Sequence, residues 1–302
     1  MSADAFVAWH AAGRRFVHRG QAIFYREHGA AGAQPALLLI HGFPTASWDW
    51  HKLWPALTRE FAQVLAPDLI GFGASAKPRR YDYSIFDQAD LCEALLRDRG
   101  VTRFHVLAHD YGDTVAQELL ARESERRALG QEGLRLESVC WLNGGLFPET
   151  HRARWVQKLL LTPLGPWLAR AMNERRFARS FAAVFAPATR PSAAELHEFW
   201  QLVQHAGGAR IAHRLIRYIP ERRDHRSRWV GALVRSPVPL RLVCGGIDPV
   251  SGAHMAARYR ELVPDADVVL LAQAGHYPQL EAPQDTLAAF LAFQRALGTL
   301  KS

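Results

Sequence analysis

Residues 103–122 read RFHVLAHDYGDTVAQELLAR, and the fold turns on how they are parsed. Phe104–Ala108 is a short apolar run of strand type, and Asp113–Arg122 carries apolar residues at helical spacing. Between them stands Ala108-His109-Asp110-Tyr111-Gly112, of the form small-x-acid-x-Gly. That is a sharp strand-to-helix turn in which small neighbours tolerate a strained backbone and the central side chain is presented at the strand's carboxyl end. Taken alone, Asp110 reads more readily as the N-cap of the helix that follows. The rest of the chain has to decide.

Strand-type and helical runs alternate outward from this turn. Arg14–His18 and Ala22–Glu27 read as an antiparallel pair around Arg19-Gly20. Ala36–Ile40, ALLLI, is the continuous apolar strand expected of a sheet covered on both faces. A helix over Trp48–Arg59, a strand over Ala62–Ala66 and a helix over Ile85–Arg99 follow. Downstream come strand Ser138–Leu142, strand Leu240–Cys244, helix Ala253–Leu262, strand Asp267–Leu271 and helix Thr286–Leu297. Glu123–Gly133 reads as a polar connection. This alternation implies an α/β fold with a mostly parallel sheet. The interruption between the two blocks holds no comparable strand and is rich in Arg, Leu and Ala at helical spacing. It is expected to be an inserted α-helical layer, 147–235, over a core formed by 1–146 and 236–302. Because parallel sheets carry their sites at the carboxyl ends of strands, such a layer would roof the site.

The polar residues that matter follow strands directly: His41-Gly42-Phe43-Pro44, then His109-Asp110-Tyr111, then Gly246-Ile247-Asp248, and finally Gly275-His276-Tyr277. Acid, acid, histidine thus recur in the order Asp110, Asp248, His276. The strings IHGFPTASWDW, PDLIGFGASAKP, AHDYGD and GHYPQLEAP resemble the α/β-hydrolase superfamily, in its epoxide hydrolase and haloalkane dehalogenase branch. HDYGDTVAQELL, LNGGLFPETHR, RRDHRSRWVGAL and HYPQLE are most similar to the mesoderm-specific transcript-like hydrolases. The resemblance spans nearly the whole chain and implies an α/β-hydrolase fold with an eight-stranded sheet and a helical cap.

Where esterases of this fold carry Ser, the turn carries Asp110. A carboxylate is ionised at neutral pH and is nucleophilic without a base. It suits attack on saturated carbon, opening an epoxide or displacing halide, and leaves an ester on Asp110. His276, oriented by Asp248, would activate the water that hydrolyses this ester, with the backbone N–H groups of Phe43 and Tyr111 as oxyanion donors. The family implies two cap tyrosines as ring-opening acids. Tyr218 matches the second, while the first has no tyrosine and His151 is the nearest substitute. The halide cradle of the dehalogenases is incomplete, with Phe43 and Tyr111 at its donor positions. His41, Trp48 and Trp155, with Phe199 and Trp200, are expected near an apolar or aryl substrate. Epoxide hydrolysis is the leading reading. Dehalogenation, ester or lactone hydrolysis with Asp110 as base, and a non-catalytic binding protein remain open.

Composition sets the outer limits. The 302 residues carry Lys+Arg 37 against Asp+Glu 29, a net charge of +8. Only Lys52, Lys77, Lys158 and Lys301 are lysines; the rest of the basic excess is arginine. No recognised nucleic-acid-binding pattern accompanies it. The start of the chain has no secretory signal pattern, and the longest charge-free run, 28–48, is broken by Gly and Pro. Cys92, Cys140 and Cys244 are odd in number, widely spaced and flanked by apolar residues, as buried free thiols would be. Together these features give the expectation of a cytoplasmic enzyme, monomeric or homodimeric, acting on a small molecule without metal, cofactor, membrane span or nucleic acid.

Overall fold

The computed structural model describes residues 3–300; residues 1–2 and 301–302, including Lys301, lie outside the described residues. Eight strands form one sheet in the order β1-β2-β4-β3-β5-β6-β7-β8. They are β1 (Arg14–His18), β2 (Gln21–Gly29), β3 (Ala36–Ile40), β4 (Gln63–Pro67), β5 (Arg103–His109), β6 (Arg135–Leu142), β7 (Leu240–Gly245) and β8 (Asp267–Leu271). The β1–β2 and β2–β4 pairs are antiparallel and every other pair is parallel. Helices of the core are α1 (Ala3–Ala11), α2 (Trp54–Glu60), α3 (Ile85–Asp98) and α4 (Tyr111–Ala128). Between β6 and β7 come seven more: α5 (Trp155–Leu160), α6 (Gly165–Arg170), α7 (Glu174–Ala182), α8 (Ala193–Gln204), α9 (Ala212–Leu215), α10 (Tyr218–Asp224) and α11 (Arg226–Val234). The chain ends with α12 (Ala253–Leu262), α13 (Pro278–Glu281) and α14 (Pro283–Ala296).

Side chains alternate across a strand, so a sheet buried on both faces feeds two cores. Leu38 and Ile40 of β3 pack in one apolar cluster with Val106, while Leu37 and Leu39 join the other with Leu107. All five residues of ALLLI are buried. This double coverage explains why the central strands lack polar alternation. The three cysteines are free and buried among these elements.

Two local expectations give way. The helix expected over Trp48–Arg59 is split into a 3₁₀ turn, Ser47–Trp50, and α2. Pro55 is favoured in a first helical turn, where its missing N–H leaves no bond unmade, so the α-helix restarts there. The polar connection expected from Glu123 instead continues α4 to Ala128. Arg122–Glu118, Arg126–Glu123 and Arg127–Glu123 pairs at helical spacing extend it past its apolar part. The inserted helices are tied to α4 by Arg228, which bridges Glu118 and Glu125, and by the indole N–H of Trp229, which donates to Glu118 at 2.8 Å.

Candidate active site

The loops after β3, β5, β6, β7 and β8 converge at the carboxyl end of the sheet. Asp110 sits between β5 and α4 with φ 47° and ψ −102°, a conformation a side-chain-bearing residue rarely adopts. Two glycines make room for it. A Cβ on Gly112 would overlap the Ile40 carbonyl oxygen, and one on Gly42 would press on the His109 ring. The Asp110 side chain makes no cap to α4, so the N-cap reading does not account for it. Its Oδ2 accepts the Phe43 N–H at 3.1 Å, and its Oδ1 lies 3.9 Å from His276 Nε2. Tyr111 is the first residue of α4, where backbone N–H groups lack intrahelical acceptors.

His276 is pinned on its far side by Asp248, with Nδ1 2.8 Å from Oδ2. Asp248 in turn accepts from Val250 N–H, Ser251 N–H, Ser251 O–H and the Asn143 amide, all within 3.0 Å. Burial works against the Asp248 charge, yet His276 and these donors hold its carboxyl down at about 2. Burial likewise disfavours the imidazolium of His276, but the flanking Asp248 and Asp110 carboxylates outweigh it and raise the ring to about 9. The resting centre is therefore a cation held between two carboxylates. The His276 carbonyl also bonds His109 Nε2 at 2.8 Å, which ties the histidine loop to the end of β5.

On the opposite side α10 presents Tyr218 and Arg222. Tyr218 is fully buried and its O–H faces the Asp110 carboxylate; burial and that carboxylate both raise it far above an ordinary phenol. Arg222, only 2% exposed, stacks on the Tyr218 ring at 4.5 Å, donates Nε to Thr114 at 2.6 Å and Nη2 to the Asp110 carbonyl at 3.1 Å. His151 stands beside Arg222 with both ring nitrogens buried and without a hydrogen-bond partner among the described residues; burial and that guanidinium lower it to about 3, so the ring is neutral. Asp113, in the first turn of α4, is pushed well above the carboxylate range by burial and by Asp110.

The structure thus brings together Asp110, His276, Asp248, Phe43, Tyr111, Tyr218 and His151. Three expected pocket residues lie elsewhere. His41 is buried, its Nδ1 bonding Gly42 O and its Nε2 accepting Leu69 N–H, so the ring braces the loop after β3. Trp48 stacks on His51 with centroids 4.0 Å apart, facing α1 rather than Asp110. Trp155 is 69% exposed. Phe199 and Trp200 pack in the second apolar cluster.

Two residues carry positions that sequence reasoning did not single out. Asn143 follows β6 with φ 44° and links Asp248 to Gly245. Its signal was an Asn-Gly-Gly directly after a strand. Arg222 had no signal, being one arginine among many. A cavity of about 100 Å³ opens on Asp110, Phe43 and His276; its far wall is supplied by the inserted helices, chiefly Leu160, Phe177 and Phe181. Among the described residues no cluster has the ligands to hold a metal ion, and no helix is long and apolar enough to cross a membrane.

Comparisons with known proteins agree with this architecture. Residues 37–290 match the model of the alpha/beta hydrolase family. The chain is 44% identical over 296 residues to the mesoderm-specific transcript homolog protein of Bos taurus, covering 96% of this chain and 88% of that one. Among solved structures it superposes on the epoxide hydrolase CorEH with a TM-score of 0.76, at 19% identity, over 94% of this chain and 99% of the other. The haloalkane dehalogenase DbeA of Bradyrhizobium elkani gives a TM-score of 0.75 at 24% identity, over 94% and 99%. The last two likenesses are of fold alone. With the sheet order, the strained turn at Asp110 and the family match over most of its length, the chain belongs to the α/β hydrolase family.

Proposed function

We propose that this hydrolase opens a small apolar epoxide through a covalent ester on Asp110, with the inserted helices 147–235 serving as its cap. The observation that carries the reading is the buried Tyr218 O–H facing the Asp110 carboxylate. An epoxide needs a proton donor at the oxygen that leaves carbon, and a buried neutral phenol beside the nucleophile supplies one.

In the first step Asp110 Oδ1 forms a bond to an epoxide carbon as that carbon's C–O bond breaks, and the alkoxide takes the Tyr218 proton. Esterification removes the Asp110 charge, one of the influences that raise His276. The ring then gives up its proton, which restores the Tyr218 phenol, and becomes a base for water only after the ester has formed. Hydroxide adds to Asp110 Cγ, and the oxyanion is held where Phe43 N–H already binds Oδ2. Collapse expels the diol oxygen, which takes its proton back from His276. The acid left on Asp110 then returns its proton to His276, which restores the resting carboxylate and imidazolium. Asp248 keeps its charge throughout and stabilises the imidazolium.

The halide reading has less support. Phe43 has no side-chain donor, and the Trp48 indole faces away from Asp110. Among the described residues one buried nitrogen of Arg222 has no hydrogen-bond partner, so halide release is an alternative outcome of the same assay. One turnover of an aryl epoxide in isotopically heavy water, followed by peptide mass analysis, tests the mechanism. Heavy oxygen is expected in Asp110, and His276→Gln is expected to accumulate the alkyl ester as added protein mass. Unlabelled Asp110 after verified diol formation would overturn the covalent route. Halide release without diol would favour dehalogenation, and inertness toward epoxides, halides and esters alike would favour a binding protein.

A further inference from the structure

The α5–α6 hairpin has two faces. Inward, Val156, Gln157 and Leu160 of α5 wall the catalytic cavity, joined by Met172 just beyond α6. Outward, it concentrates exposed apolar side chains: Trp155 and Trp167 are each 69% exposed and Leu164 is 61%, with Leu161 and Leu168 also exposed. Leu161 and Leu164 stand in the turn between α5 and α6, and Trp167 and Leu168 follow in α6, so the four exposed apolar side chains lie within eight consecutive residues. Among the described residues Val7, Val17, Leu129 and Leu297 are also exposed, but far apart in the chain. A clustered apolar face on an otherwise ordinary surface marks an interaction site.

The charge around this face narrows what it meets. Residues 150–173 contain no Asp or Glu but do contain Arg152, Arg154, Lys158 and Arg170. Beside α6, the side chains of Arg79, Arg170, Arg210 and Arg214 line one depression with His213. None of these arginines has a carboxylate partner among the described residues. Most core arginines differ: Arg99, Arg122, Arg126 and Arg127 are all paired. Arg170 instead lies over the Trp167 ring at 5.6 Å. Unpaired arginines rimming exposed Trp and Leu complement anionic headgroups above acyl chains.

From this juxtaposition of an apolar hairpin face and unpaired arginines we propose that the hairpin docks on an anionic phospholipid bilayer, so that the roof of the catalytic cavity rests on the lipid surface. The inference goes beyond the hydrolytic reading and is independent of which bond the site breaks. It does give an apolar substrate a route, because the element touching lipid is the one that walls the cavity.

Sedimentation of the full chain with phosphatidylcholine vesicles, with and without phosphatidylglycerol, tests it. Binding is expected only to the phosphatidylglycerol-containing vesicles and is expected to fall as salt rises. Brominated acyl chains should quench the tryptophan fluorescence, and Trp155→Phe with Trp167→Phe should remove most of that quench. Replacing Arg170, Arg210 and Arg214 with Gln should weaken binding about fivefold per residue. Leu164→Gln with Trp167→Gln should weaken it at least about tenfold. All these side chains are exposed, and thermal melts verify folding, while quenching of the unaltered chain needs no variant. Any of three results overturns the proposal: no vesicle binding at low salt, a face that instead forms dimers abolished by the Leu164/Trp167 changes, or release by inorganic phosphate without tryptophan quenching.

Discussion

At the scale of single residues, the site depends on carboxyl groups in different environments. Asp248 is saturated with donors and held at about 2, Asp113 is forced toward its neutral form by burial and by Asp110, and Asp110 turns one oxygen toward His276. Identical chemistry thus serves three ends through surroundings alone. Tyr218 is the residue on which the proposed bond choice rests. Tyr218→Phe keeps the ring under Arg222 and removes only the O–H. Its expected effect is a fall of about a hundredfold in kcat/KM for epoxides, with the His276→Gln background still able to form ester from activated halides. An unchanged epoxide rate would remove Tyr218 from the mechanism.

At the scale of elements, a half-buried contact joins α10 to α3. Glu221 accepts the Ile85 N–H with both carboxylate oxygens, at 3.0 and 3.2 Å, at the amino end of α3. Burial raises Glu221 to about 7, against the partial relief given by that N–H. A carboxyl raised from its usual 4.5 favours the folded state most below about 4.5, and that contribution is lost as pH rises through about 7. Glu221→Gln keeps an acceptor for Ile85 and removes the titration. The melting temperature of the variant relative to the parent should therefore rise between pH 5 and pH 8. A difference that stays constant across that range would show that Glu221 does not couple the inserted helices to pH. The spacing of α10 predicts none of this, because the contact spans 136 residues of sequence.

At the scale of the whole molecule, core and inserted helices enclose the cavity together. Asp110 and His276 form its floor, and Leu160, Phe177 and Phe181 its far wall, leaving about 100 Å³. Such a space is small beside the 300–1,000 Å³ usual for ligand pockets. Phe181→Ala is expected to lower KM for bulkier aryl epoxides and raise it for the smallest. It should also cost roughly 3 kcal/mol of stability through the void it leaves, read as a lower melting temperature. Unaltered selectivity would place substrate elsewhere than this cavity.

The sheet, the sharp turn at Asp110 and the order of the three loops that meet there could be read directly from the amino-acid sequence. Each depends on local signals: ALLLI buried on both faces, a small-x-Asp-x-Gly turn, and polar residues directly after strands. Packing between elements decided that Arg222 lies beneath Tyr218, while Arg226 and Arg228 on the next helix pair with Glu149, Glu118 and Glu125. It alone turned Trp48 and Trp155 away from the site and made Asn143 a support of Asp248. A residue's type limits what it can bond. Which partner it meets is set by packing between elements far apart in the chain, and spacing along a single element carries no record of that.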